Sequence, residues 1–119
     1  MWCLAAFRDE TGAPRLASGS WDNSIRLWNP LGDGAALAVL EAAHTDWPTK
    51  LVAFPDPSSG AARLASGSKD CTLKVWTGDG ALLQTIVFDE AVKDVAVTGD
   101  GRGLAATMGT RWGWFQIWR

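Results

Sequence analysis

The sequence predicts an all-β chain made of repeated antiparallel sheets of about four short strands each. Three observations carry that reading. Residues 16–28, Leu-Ala-Ser-Gly-Ser-Trp-Asp-Asn-Ser-Ile-Arg-Leu-Trp, return at 64–76 as Leu-Ala-Ser-Gly-Ser-Lys-Asp-Cys-Thr-Leu-Lys-Val-Trp, with seven of thirteen positions identical and four conservatively exchanged. The offset is 48 residues throughout, a period that marks a repeat architecture. Short apolar runs alternate with clusters of Gly, Pro, Asn and Asp, and no stretch keeps the 3.6-residue period of a helix. Within 72–76, strand alternation puts Leu73 and Val75 on one face and Thr72, Lys74 and Trp76 on the other. Apolar bulk on both faces demands cover on both, so the sheets must be stacked.

The elements follow in order. Residues 2–7 form a first apolar strand, and the loop from Asp9 to Pro14 ends it with Gly12 and Pro14. Strands at 15–20 and 24–28 flank a tight turn at Trp21-Asp22-Asn23, and a turn cluster from Asn29 to Gly34 leads to a fourth strand at 36–40. The second unit repeats the plan near 49–54, 62–68, 72–76 and 82–87, with Asp79-Gly80 suiting a type I′ turn. A third unit supplies strands near 92–97, 103–108 and 114–118 and stops without a fourth. The expected organisation is one domain of three repeats, about 1–42, 43–88 and, incomplete, 89–119.

These motifs resemble the WD-repeat β-propeller family, whose blades carry a Gly-His pair near the start and a Trp-Asp pair near the end. Here the first pair reads Ala43-His44, and the second reads Trp28-Asn29 and Trp76-Thr77. The resemblance is strong over 16–28 and 64–76 and weak over 91–118. It implies propeller blades of four-stranded antiparallel sheets, about three of them, the last lacking its outer strand and the ring not closed within one chain. It also implies a non-catalytic protein-interaction scaffold.

In that family the positions of His44, Ser66, Asp70 and Trp76 resemble a structural hydrogen-bond network, with partial equivalents at Ser18, Asp22 and Trp28. The physical reasons hold without the family. A buried indole N–H needs an acceptor, a buried imidazole needs both nitrogens satisfied, and an Asp in a tight turn caps local backbone N–H groups. The resemblance favours Ser66 over Ser68 as the hydroxyl, because the family pattern places it four residues before the Asp. Repeat one has no His within reach, and in repeat three Trp112 falls where the Asp belongs if Trp118 is matched to Trp76. Ser, His and Asp are also the ingredients of a hydrolase triad. Neither Ser sits in a Gly-x-Ser-x-Gly elbow, so the expectation is no catalytic residue.

Eight tryptophans and no tyrosine stand in a chain of 119 residues. Trp28 and Trp76, with Trp118, belong to the repeat, and Trp2 reads as core. Trp21 precedes the turn Asp22 and Trp47 follows His44 by three, stretches that the family places on one rim. With Lys69 they are the candidate partner surface, because Trp is enriched at interaction hot spots; the competing reading packs both rings over turn backbone. Trp112 and Trp114 fit either a cap on the last blade or a subunit contact.

Composition narrows the partners. A net charge of −2 gives no footprint for nucleic acid, no apolar run reaches membrane-spanning length, and the N-terminus lacks the basic start of a signal peptide. Cys3 and Cys71 have neither metal nor redox spacing and read as free thiols of a cytoplasmic protein. No metal or cofactor is expected.

Three blades do not close, since propellers use roughly four to eight. An uncovered end face of ~400 Å², at ~25 cal/mol per Å², leaves ~10 kcal/mol of gross burial unused. The expected outcome is a homo-oligomer, a head-to-tail dimer of about six blades being favoured, or completion by other polypeptide within a larger propeller. A small oligomeric carbohydrate-binding propeller is the alternative function, suggested by aromatic-rich repeats.

Overall fold

A computed structural model describes residues 3–41, 43–56, 59–98, 103–109 and 112–116, the last group as backbone. Eleven strands and no helix make up the described residues. β1 (Cys3–Arg8), β2 (Pro14–Gly19), β3 (Ile25–Trp28) and β4 (Ala36–Leu40) form one antiparallel sheet in that order. β5 (Pro48–Pro55), β6 (Ala62–Ser68), β7 (Thr72–Thr77) and β8 (Leu82–Val87) form the second. β9 (Val92–Val97), β10 (Gly103–Met108) and β11 (Trp112–Gln116) form a three-stranded third. The sheets are not closed into a ring, in keeping with partial propeller blades.

The repeat is visible in the pairing. Trp28 stands opposite Leu16 and Trp76 opposite Leu64. Each Trp also marks a register shift toward the outer strand, between Leu27 and Trp28 and between Val75 and Trp76. Such an irregularity bends the strand and re-aims a side chain.

Two apolar cores lie between the sheets. Ala17, Ile25 and Leu27 of the first sheet meet Leu51, Leu64 and Trp76 of the second. Phe54, Ala65, Leu73 and Val75 on the second sheet's other face meet Val92, Val95, Leu104 and Ala106 of the third. The two-faced pattern of 72–76 is thus explained by a sheet sandwiched between neighbours.

Close approach of the inner strands depends on the glycine of the repeated motif. A Cβ on Gly67 would lie 2.6 Å from Val92 Cγ1, and one on Gly19 would lie 2.7 Å from Cys3 Sγ and 3.0 Å from Pro48 Cβ. Each glycine therefore seats the first residue of the next sheet's inner strand.

Several sequence expectations are corrected. The hairpin at 77–81 is not type I′, which needs two left-handed residues. Only Gly80 has positive φ there, and Gly80 N–H donates to Thr77 O while Thr77 N–H donates to Ala81 O, a three-residue loop. The same loop recurs at 20–24 and 68–72, with Asn23 (φ 69°) and Cys71 (φ 71°) in the left-handed position. The last strand begins at Trp112 and not near 114, because the link after β10 is shorter than expected and Thr107 pairs with Trp112. Trp112 consequently begins a strand instead of occupying the turn, and Phe115 stands opposite Leu104. Trp2, Trp118 and residues 99–102 lie outside the described residues. The remaining boundaries move by at most two residues from those expected. Cys3 and Cys71 are free thiols.

Candidate functional site

The segment joining the first two sheets carries His44 into the gap between them. The His44 backbone N–H donates to Asn23 O in the first sheet's turn, 3.3 Å away, and the side chain reaches the second sheet. There Trp76 Nε1–H donates to Ser66 Oγ (2.9 Å), and Ser66 Oγ lies 2.7 Å from His44 Nε2. On the opposite edge of the ring, His44 Nδ1 is 2.9 Å from Asp70 Oδ2 and 3.0 Å from Thr72 Oγ1.

The donors fix the proton positions. The Asp70 carboxylate can only accept, so Nδ1 carries the ring proton and donates to it. Nε2 of the neutral ring then accepts the Ser66 hydroxyl hydrogen, while Ser66 Oγ accepts from the indole. The carboxylate also accepts from Thr45 N–H (3.0 Å), Thr72 N–H (2.9 Å) and the Thr72 hydroxyl.

Electrostatics agree with a neutral ring. Burial pushes the His44 imidazole below its ordinary value, against the opposing pull of Asp70. For Asp70, burial pushes up, but the Thr72 hydroxyl, the Thr45 N–H and His44 outweigh it and hold the carboxyl below its ordinary value. Lys74 Nζ adds a bond to Ala43 O, 2.9 Å away, fastening the residue before His44.

Repeat one holds the same parts without the imidazole. Trp28 Nε1–H donates to Ser18 Oγ (2.9 Å), and Asp22 accepts from Ser24 N–H (3.0 Å) and the Ser24 hydroxyl. Those bonds from Ser24 hold the Asp22 carboxyl below its ordinary value. Arg26, the counterpart of Lys74, turns to Asp22 Oδ2 at 3.3 Å.

A second cluster lies where the turns of the two sheets come side by side. The rings of Trp21 and Trp47 stack with centroids 6.0 Å apart and planes 24° from parallel, and Lys69 Nζ sits 4.7 Å from the centre of the Trp47 ring. Trp21 is 60% exposed and Trp47 38%. Lys69 N–H donates to Trp47 O (3.0 Å), and the buried Ser68 hydroxyl binds the same carbonyl, so the Trp47 backbone is firmly seated.

A family model described as WD domain, G-beta repeat, matches residues 2–29 and 36–77. The chain belongs to the WD-repeat family. A search of curated proteins finds no match. WD repeats are in general protein-interaction scaffolds rather than catalysts. The matched residues end at Thr77, so the third sheet lies outside them.

Within this WD-repeat chain the structure puts Ser66, not Ser68, against His44. Ser66 is fully buried with its oxygen shared between an imidazole and an indole, a poor position for a nucleophile that must reach substrate. Sequence reasoning missed Thr72, Thr45 and Lys74 as network members. The signal for Thr72 was present, since Ser24 and Thr72 are paired hydroxyls in the repeat; the backbone contact of Thr45 leaves no trace in residue type. No cluster of His, Cys, Asp and Glu suited to a metal occurs among the described residues. Among the described residues no helix is long and apolar enough to cross a membrane.

Proposed function

We propose that this chain is a non-catalytic scaffold for protein–protein interaction, a single unit of three WD repeats spanning about 1–42, 43–88 and 89–119. The network of His44, Ser66, Asp70 and Trp76 has a structural role, and the rim cluster of Trp21, Trp47 and Lys69 receives the protein partner. The single observation carrying the second assignment is the stacked indole pair, still substantially exposed although its backbone is hydrogen-bonded in place. Rigid aromatic area of that kind binds at low ordering cost. The two free thiols support a cytoplasmic setting. The incomplete ring is completed by further blades, through self-association or another polypeptide.

The test compares the wild type with a Trp21→Ala/Trp47→Ala variant. Partners captured by the wild type should be lost by the variant while both give the same circular dichroism and melting temperature. Undiminished capture would overturn the rim assignment. Light scattering after size exclusion tests self-association, which a clean monomer of 12.7 kDa would overturn in favour of completion by another polypeptide.

A further inference from the structure

β8 is the outermost strand of the second sheet, and among the described residues no strand pairs with its far side. It reads Leu-Leu-Gln-Thr-Ile-Val, without charge, proline or glycine. Sheets stacked on either side cover the faces of the second sheet and leave this outer edge open, whatever their number. Exposed edges are ordinarily blunted by a charge, a proline or a covering segment. Here Leu83 is 53% exposed and Val87 74%.

The alternation of the ladder fixes which backbone groups look outward. Phe88 N–H donates to Cys71 O, 2.8 Å away, at the end of the β7–β8 ladder. Ile86 and Gln84 share that inward sense, so Thr85 and Val87 turn their N–H and C=O groups away from β7. The register is regular from Thr72 opposite Val87 to Val75 opposite Gln84 and shifts only beyond that point. An even edge therefore offers Thr85 and Val87 to a further strand.

Repeat one shows the same place guarded. Ile25 pairs with Leu40 as Leu73 pairs with Ile86, which makes Glu41 the counterpart of Val87. Antiparallel pairing of β8 with itself, centred on Thr85, sets Thr85 against Thr85 and Val87 against Leu83. Hydroxyl pairs and apolar pairs of this kind favour adjacent strands. The same pairing of β4 would set Glu41 against Leu37 and draw a carboxylate out of water.

We propose that β8 joins β8 of a second copy of this chain, antiparallel about a twofold axis, merging two four-stranded sheets into one. The backbone alone would accept any extended strand; the matched side-chain pairs single out the second copy. The contact is isologous and closes at two copies. It uses a strand edge, so it rests neither on ring completion nor on the rim cluster.

Sedimentation and light scattering of the full chain test this, up to about 0.5 mM because one strand pair makes a small interface. The wild type should show a monomer–dimer equilibrium. Val87→Glu copies the charge of Glu41 and should weaken dimerisation at least about tenfold. Thr85→Pro removes an outward N–H without breaking a bond to β7 and should act likewise. Circular dichroism and melting temperature should stay close to wild type in both. Val87→Glu, at a well exposed side chain, decides the matter if the proline variant misfolds. A wild type that stays monomeric throughout this range would overturn the inference. So would a dimer that Val87→Glu leaves intact, since sheet faces or the rim would then hold it. Any assembly remaining in Val87→Glu reads ring completion separately.

Discussion

His44 and Trp76 meet on one oxygen: Ser66 Oγ gives its hydrogen to the imidazole at 2.7 Å and takes the indole hydrogen at 2.9 Å. One hydroxyl therefore ties the loop between sheets to the middle of the second sheet. Removing the ring strands two buried partners at once. His44→Ala should cost about 3 kcal/mol, given roughly 1–3 kcal/mol for each buried polar group left unsatisfied. Ser18→Ala, breaking a single bond in repeat one, should cost about 1 kcal/mol. Substitutions at 109–111, ahead of β11, should leave stability largely intact. Urea unfolding of the variants checks all three; equal losses from His44→Ala and the 109–111 changes would contradict the assigned role.

Acid should act through the same ring. Below about pH 6.5 the unfolded chain binds a proton that the buried imidazole refuses, so stability falls as pH falls. Between pH 7 and 5.5 the loss should reach up to about 1 kcal/mol. His44→Gln, which does not titrate, should flatten this part of the profile. A second decline belongs below about pH 4, where the depressed carboxyls of Asp70 and Asp22 become protonated. Chemical denaturation across pH 3–7.5 would read both limbs.

Gly67→Ala should destabilise by about 1–3 kcal/mol, the usual cost of overpacking, because the new methyl group would lie 2.6 Å from Val92 Cγ1. Adding Val92→Ala should recover part of the loss, a non-additivity expected of residues in contact. Thermal melts of the two single variants and the double variant would show it. Strictly additive losses would mean the steric contact is not the cause.

Cys71→Asn should stabilise by about 0.5–1 kcal/mol. Cys71 holds a left-handed backbone that costs an ordinary residue roughly 1–2 kcal/mol. Asn occupies the equivalent place in repeat one at φ 69°. A lower melting temperature for this variant would refute the argument.

The repeated thirteen residues made much of this architecture legible. They placed both middle hairpins, paired Ser18 with Trp28 and Ser66 with Trp76, and identified the Asp in each turn. Legibility failed where register depends on loop length. The shorter link after β10 moved Trp112 into a strand and brought Phe115 opposite Leu104, and a straight offset from Trp76 cannot detect such a slip. Residue types also could not show that Trp21 and Trp47, 26 positions apart, stack. That contact exists because the two sheets lie side by side and bring their turns together.

The glycine contacts have a geometric consequence. Inner strands β1, β5 and β9 pack in succession, while much of β8 and alternate residues of β4 stay exposed. Gly19 and Gly67 fix how near the hubs of adjacent sheets can come, and so set the wedge angle between them. That angle decides how many sheets fill a full circle. A bulkier residue at either position would push the hubs apart, bring the sheets nearer to parallel and favour a ring with more members. Two atoms of hydrogen where a methyl group might stand therefore govern the curvature of the whole assembly.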